Sequence, residues 1–518
     1  MLTDPGAAAP STAEPVSYAD LSEFSRDLLR GIKKLHAQHG PIAALEDGGQ
    51  RVVFLFSPEF NQQVLSDTER FQARFFAVRG PKRSAQRRLT CGLLAMNGDQ
   101  HRRNRRLVKE PFGLRAISTY GQTISRLTDE MLSEWRPGSE RDMAEEMRQF
   151  MLRVTSTLLF GLDDVEMAYR LGDRIAEWVS LNHEVGVGAL VPNERFFRHY
   201  EDLLAFAEIV EAEIMQMIRR RREDPRMGSD VLSILIRTHD EEGGLSDEEL
   251  VGQASVLFAA AHMTTAHSLT WTLLLTAQHP SVMARLWEEL QKPQENRPEM
   301  SVELASSGIP KNGMPVLEAD GSLARGEDQS LLDRIIKESM RLLPASAYSQ
   351  RITTETVQLG PLHVQRGTGI VFTPIITHRL PEIYPQPERF LPDRWLKPRP
   401  SPYAYHPFGA GPRLCIGGPL ATAIIRIALH KILKRFRLTV IPGSEVNAHI
   451  ESTMLMPSDG LRMRIDLADG DFTSSPMGGN IHELVDFVEA PVFSCDENQA
   501  GTAAPEGAAF SEAPRHPR

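Results

Sequence analysis

The sequence predicts a mainly α-helical protein with small β-sheets, and three observations carry that prediction. Apolar residues recur at helical spacing through Leu21–His36, Ile117–Trp135, Met143–Phe160, Val165–His183, Asn193–Arg222, Ser281–Gln291, Leu331–Leu343 and Pro419–Phe436. Runs with the alternation of a strand are short, as in Arg51–Phe56, Val357–Leu359 and Gly369–Thr373. The stretch Leu250–Thr276 is long and apolar but carries Gln253, His262, Thr264, Thr265, His267 and Thr270, which favour a buried helix over a membrane span. Ser246 and Glu249 stand at the spacing of a capping box just before it, and His279-Pro280 ends it.

Taken in chain order, residues 1–16 are rich in Ala, Pro, Ser and Thr, without a basic leader or an apolar run, so a disordered segment with no signal peptide and no membrane anchor is expected. Residues 17–467 are read as one large domain. Within it, 292–329 is a surface insertion, because Pro, Gly, Ser and acidic residues interrupt the helical pattern there. From 468 to 518 the composition shifts to Gly, Ala, Ser and Pro, which predicts a disordered tail. The formal net charge of -10 argues against nucleic acid as a partner. Three cysteines, Cys91, Cys415 and Cys495, give neither a paired zinc pattern nor a disulfide framework, and a reducing cytoplasm fits them best.

Cys415 stands in His406-Pro-Phe-Gly-Ala-Gly-Pro-Arg-Leu-Cys-Ile-Gly-Gly418. A structural cysteine does not need glycines at 409, 411, 417 and 418, whereas a thiolate ligand needs backbone N–H groups directed at its sulfur. Phe408, Gly409, Gly411, Arg413, Cys415 and Gly417 match the heme-ligand loop of the cytochrome P-450 family, which this chain resembles. The resemblance implies heme b ligated by Cys415, with Phe408 and Gly417 against it, between a long distal helix and the proximal cysteine loop. It also implies a monooxygenase of the soluble bacterial type, inserting one oxygen atom from O2 into a hydrophobic small molecule by hydroxylation or epoxidation. Terpenoid, fatty acyl chain and polyketide stay open as substrates. Electrons are expected from a separate ferredoxin or flavodoxin with an NAD(P)H-dependent reductase, since the cysteines are too few for a plant-type cluster.

The same resemblance organises the charged motifs. Glu338 and Arg341 are three apart on a predicted helix, and with Arg394 they match the family's structural carboxylate–guanidinium triad. His101 and Arg105 lie four apart on one helical face and, with Arg413 and Arg351, match the partners of the heme propionates. The run Arg102, Arg103, Arg106, Lys109 on that helix offers an acidic electron donor a docking face.

Ala260-Ala-His-Met-Thr264-Thr265 departs from the family pattern, because Met263 occupies the place of the usual acid. Thr264 is expected to take part in proton delivery, with His262 as a candidate relay and His267 further along a similar face. By resemblance, residues after Phe71 and those at Leu93–Met96, Leu190–Phe197, Phe258–His262 and Ala345–Ser349 line the pocket. The missing acid keeps a peroxide-driven or non-oxygenating heme-thiolate enzyme as a rival reading. A heme-based ligand-binding or sensor protein is the rival from another class.

Overall fold

The computed structural model describes residues 14–74, 78–161, 165–188, 194–223, 228–242, 246–292, 330–396 and 400–488. The insertion read at 292–329 lies outside the described residues except for Lys292, and most of the N-terminal segment does as well. The expected helices form close to their predicted bounds, Met143–Phe160 without a shift. Leu21–His36 divides into Leu21–Arg26 and Leu28–His39, because the Asp27 side chain accepts from the Arg30 N–H and starts the second helix afresh. Pro58–Ser66 and Ala85–Leu89 were not expected, since they span too few turns for periodicity to show.

Six strands build the largest sheet in the order Val16–Tyr18, Ile42–Asp47, Gln50–Leu55, Gly369–Phe372, Ser349–Thr353 and Phe71–Ala73. Ile42–Asp47 and Gln50–Leu55 form a hairpin whose tight turn, Gly48-Gly49, needs positive φ at both positions (52° and 85°). Gln50–Leu55 then pairs in parallel with Gly369–Phe372, so an N-terminal hairpin is fixed to the second half of the chain. Arg351 is carried on the next strand.

The helix Asp247–Ala277 runs through the middle of the protein. Its capping box is complete: Ser246 Oγ accepts from the Glu249 N–H at 3.1 Å, and Glu249 Oε2 accepts from the Ser246 N–H at 2.9 Å. Its buried hydroxyls satisfy themselves, Thr270, Thr272 and Thr276 each donating to a carbonyl four residues back. Between Leu250 and Thr276 every residue is buried except Ala259, Ala260, Ala261, Met263 and Thr264. That short opening in an otherwise enclosed helix marks a cleft. Among the described residues, no helix is long and apolar enough to cross a membrane.

Beside the central helix lies Leu331–Leu342, in which Glu338 and Arg341 are wholly buried. Arg341 grips Glu338 with two hydrogen bonds, from Nε and Nη2, both at 2.9 Å. Arg394 Nε adds a third at 2.9 Å, and the Leu391 N–H and Trp395 Nε1 complete the carboxylate's partners. Burial alone would raise the Glu338 carboxyl, but the guanidinium groups of Arg341 and Arg394 overcome it and hold the group below its usual value. Arg341 Nη1 also donates to the carbonyls of His378 and Pro387, and Nη2 to that of Arg389. His378 Nε2 in turn accepts from the His406 N–H at 2.9 Å, and the Tyr405 hydroxyl donates to the Lys337 carbonyl. The triad is therefore bolted to the first residues of the cysteine loop.

The chain beyond Leu467 corrects one expectation. Residues 468–488, read from composition as part of a disordered tail, are folded onto the body: Ile481, Leu484 and Val485 are buried, and the Phe472 ring lies 6.2 Å from that of Trp287. A few apolar residues at helical spacing outweigh the Gly, Ser and Pro around them. Residues 489–518 lie outside the described residues.

Replacing Glu338 leaves two guanidinium groups facing each other in the interior, so Glu338→Ala is expected to cost about 3–5 kcal/mol. Denaturant unfolding at neutral pH measures this, and a loss no larger than that of an ordinary surface substitution contradicts the assignment.

Candidate functional site

The cysteine loop is shaped by its glycines. The Cys415 N–H donates to the Phe408 carbonyl at 2.9 Å and closes the loop on itself. Gly411 has φ +70°, and a Cβ there would run into the Leu65 carbonyl at the end of the Pro58–Ser66 helix, so no other residue fits. Gly417 and Gly418 open the helix Gly418–Arg435 directly after the cysteine, and the Phe408 ring packs where a Gly418 side chain would begin. Burial pushes the Cys415 thiol up, while the Gly417 N–H, the Arg105 guanidinium and the Gly418 N–H pull it down. The residue is exposed, so its sulfur is open to an incoming ligand.

The charged motifs converge on the same cleft. The helix Gly98–Val108 buries His101, Asn104, Leu107 and Val108 and turns Arg102, Arg103 and Arg106 outward. Arg105 Nη2 donates to the Leu414 carbonyl, one residue before the cysteine, at 2.6 Å. Arg413 donates to the Met96 carbonyl and, at 2.7 Å, to Asn97 Oδ1. Arg351 lies over the Phe372 ring at 5.2 Å.

These cations repel one another. Burial, then Arg413, Arg105 and Arg351, lower His101 to about 4. Burial and Arg413 lower Arg351 to about 10, and burial and Arg105 lower Arg413 to about 10. Among the described residues, the charged groups that shift these three most are arginines, and Arg413 Nε is buried without a partner. Buried charge without compensation is unstable, so the cluster calls for anions brought in by a ligand. The two propionates of heme, with a thiolate beside them, match that donor set. All four residues expected from the sequence are brought together.

The central helix carries its own opening, at residues 259–261, 263 and 264. Gln253 ties it to the cationic helix, its Nε2 donating to Asn104 Oδ1 at 3.2 Å while its Oε1 accepts from the Leu93 N–H at 3.1 Å. Thr264 belongs to this opening, and its hydroxyl donates to the Ala260 carbonyl at 2.8 Å.

His262, the candidate relay, is not among the residues of this opening. It is buried, with Nε2 3.1 Å from the Arg148 carbonyl of the Met143–Phe160 helix and its ring packed 5.7 Å from Phe258. Burial lowers it to about 4, so it is neutral near pH 7. His267 is buried too, lowered to about 4 by burial, with Nε2 unpartnered.

Of the expected pocket residues, Ala259, Ala260 and Ala261 are open, as are Ala345 and Ser346 in part, while Phe258 stacks on Phe160 and Phe71 and Leu93 are buried in the body. The side chains of residues 190–197 lie outside the described residues. Asn97, Gln253, His378 and His406 were not anticipated. They hold backbone or side chains that do chemistry, and no spacing rule marks such residues in a sequence.

A cysteine before a helix N-terminus, a cluster of buried cations beside it and a long central helix opened in its middle fit the class of heme-thiolate proteins. The Cytochrome P450 family pattern matches residues 19–307 and 322–464. Cyclooctat-9-en-7-ol 5-monooxygenase of Streptomyces melanosporofaciens is 30% identical over 78% of this chain and 84% of its own length. Pentalenene oxygenase of Streptomyces avermitilis is 28% identical over 88% of this chain and 96% of its own length. Among solved structures, the retinoic acid bound cyanobacterial CYP120A1 superposes with a TM-score of 0.68 at 23% identity, covering 84% of this chain and 94% of that one, which shows the shared fold. The chain belongs to the cytochrome P450 family. It is an oxidoreductase with heme b as cofactor, and the monooxygenase reaction expected from the sequence is that of its named relatives.

Replacing Cys415 by Ser removes the thiolate but keeps the loop. Reduced Cys415→Ser protein is expected to lose the carbon monoxide difference band of thiolate-bound ferrous heme, and persistence of that band contradicts the ligand assignment.

Proposed function

We propose that this monooxygenase oxidises a terpenoid, with electrons from a separate acidic ferredoxin or flavodoxin and Thr264 governing proton delivery. The observation that carries the reading is the floor of the cleft: the exposed part of the central helix is Ala259, Ala260, Ala261 and Met263 beside a single hydroxyl, Thr264. Three alanines give a bulky, rigid hydrocarbon room to approach, and no charge there competes for it. Two relatives bear the names of oxygenases of cyclic terpenoids, which supports the same substrate class.

Bound heme supplies oxygen activation, favoured by electron density pushed from the thiolate. The chain's own residues do the rest. Gly417 and Gly418 hold negative charge on Cys415 Sγ through their N–H groups, and Arg105, His101, Arg351 and Arg413 bind the propionates. Thr264 Oγ1 turns from the Ala260 carbonyl toward the cleft, accepts a hydrogen bond from water and passes a proton inward. Met263 cannot carry a proton, so water hydrogen-bonded to Thr264 takes the place of the acid. On the outer face, Arg102, Arg103, Arg106 and Lys109 are exposed; Arg102 pairs with Asp99, and Arg103 lies 3.9 Å from Glu249. This field steers an acidic donor to the side of the protein nearest the thiolate.

Missing acid at position 263 also favours a second reading, turnover driven by hydrogen peroxide. Both are tested with a sesquiterpene hydrocarbon and a cyclic diterpene alcohol as substrates, measuring product and peroxide per NAD(P)H. Thr264→Ala is expected to raise peroxide release several-fold at the expense of product. His262→Ala, compared at equal heme content, is expected to leave the ratio unchanged because its ring faces the Arg148 carbonyl. Unchanged coupling in Thr264→Ala together with full turnover on peroxide replaces the reductive reading by the second one.

A further inference from the structure

The family match ends at residue 464, yet the chain continues as a folded strap through Val488. The strap first runs beside residues 443–448. The Gly443 N–H donates to the Pro476 carbonyl at 2.9 Å, the Gly478 N–H to the Ser444 carbonyl at 2.9 Å, the Val446 N–H to the Gly478 carbonyl at 3.0 Å and the Ile481 N–H to the Val446 carbonyl at 3.2 Å. Gly479 has φ +101°, and a side chain there would strike the Val446 carbonyl, so the two segments touch backbone to backbone.

At the end of this seam stands Asn480. Its Oδ1 accepts from the Ala448 N–H at 2.7 Å and its Nδ2 donates to the Ala448 carbonyl at 2.9 Å, while its own N–H donates to Asn447 Oδ1 at 2.8 Å. The side-chain amide thus satisfies both backbone groups of Ala448, as a neighbouring strand would. Ala448 begins the hairpin Ala448–Glu451 and Met454–Pro457. That hairpin is bonded both to the Ala345–Ala347 segment and to the central helix. The Leu455 N–H donates to the Ala345 carbonyl at 3.0 Å and the Ala347 N–H to the Thr453 carbonyl at 2.8 Å, while Trp271 Nε1 of the central helix donates to the Leu455 carbonyl at 3.0 Å.

We propose that Asn480 is a positioning residue for substrate selectivity: it fixes the register of the Ala448–Pro457 hairpin and, through it, the Ala345–Ala347 wall of the cleft. The far end of the strap keeps Asn480 in place. Arg379, buried behind the triad helix, donates to the carbonyls of both Leu342 and Leu484, and Arg389 Nε donates to Asp486 Oδ2 at 3.1 Å. Removing the Asn480 amide leaves the triad and the cysteine loop untouched, so the wall moves while the iron ligand does not.

This inference rests on the heme-thiolate reading, and the test separates the two. In the full chain, Asn480→Ala is compared with the unaltered protein for binding of imidazole and of 4-phenylimidazole to ferric heme, and for hydrogen exchange at the Ala448 amide. Imidazole is compact, whereas 4-phenylimidazole carries an added ring that senses the walls of the cleft. Expected are unchanged imidazole binding, 4-phenylimidazole binding about three- to tenfold weaker, faster exchange at Ala448 and a normal carbon monoxide difference band. Equal shifts for both ligands, or unaltered protection at Ala448, overturn the proposal. Absence of a thiolate spectrum in the unaltered protein overturns the underlying reading, while the exchange measurement still decides whether Asn480 holds the hairpin. Should Asn480→Ala fail to retain heme, Asn447→Ala removes only the acceptor of the Asn480 N–H and is expected to shift 4-phenylimidazole in the same direction by less.

Discussion

Uncompensated positive charge is the constraint on which the site depends. The guanidinium groups of Arg105, Arg351 and Arg413, with the neutral ring of His101 among them, come from three separate parts of the chain: a short helix, a strand of the large sheet and the cysteine loop. Among the described residues they are shifted chiefly by one another, and Arg413 Nε is left unpartnered. Folding tolerates this only if other contacts hold the cations in place. Asn97, the carbonyls of Met96 and Leu414 and the face of Phe372 supply those contacts. The fold therefore stores an electrostatic demand that a dianionic cofactor meets, and the energy gained on binding offsets the repulsion.

A second network keeps the thiolate in register with that demand. Glu338 is a fully buried carboxylate with donors from Arg341, Arg394, Trp395 and the Leu391 backbone. Arg341 passes its position to His378, and His378 to the His406 backbone at the mouth of the loop. The helix that carries His101 and Arg105 is tied to the central helix through Asn104 and Gln253. Polar contacts of this kind fix the sulfur and the guanidinium groups in one cluster.

Much of this was legible in the sequence, for physical reasons. Helices longer than a few turns announce themselves by periodicity, and the capping box at Ser246 located the start of the central helix. The motif around Cys415 was legible because several glycines serve one sulfur. Other features depend on which way a side chain turns. His262 neighbours Thr264 on paper, but helical rotation directs it toward the Arg148 carbonyl and away from the cleft. The strap was illegible because composition averages over its length, whereas a few apolar residues such as Ile481, Leu484 and Val485, with a backbone seam to residues 443–448, fold it onto the body. Asn480 acts through backbone atoms of a segment distant in the chain, and no local pattern reveals such a partner.

The central claim is that the cationic cluster selects for two carboxylates on the cofactor. Its direct test is reconstitution of the apoprotein with protoheme and with the dimethyl ester of protoheme, which keeps the iron and ring but carries no charge on its side chains. The account predicts that the ester binds far more weakly and that Arg413→Ala narrows the difference. Equal affinity for the two forms would contradict it.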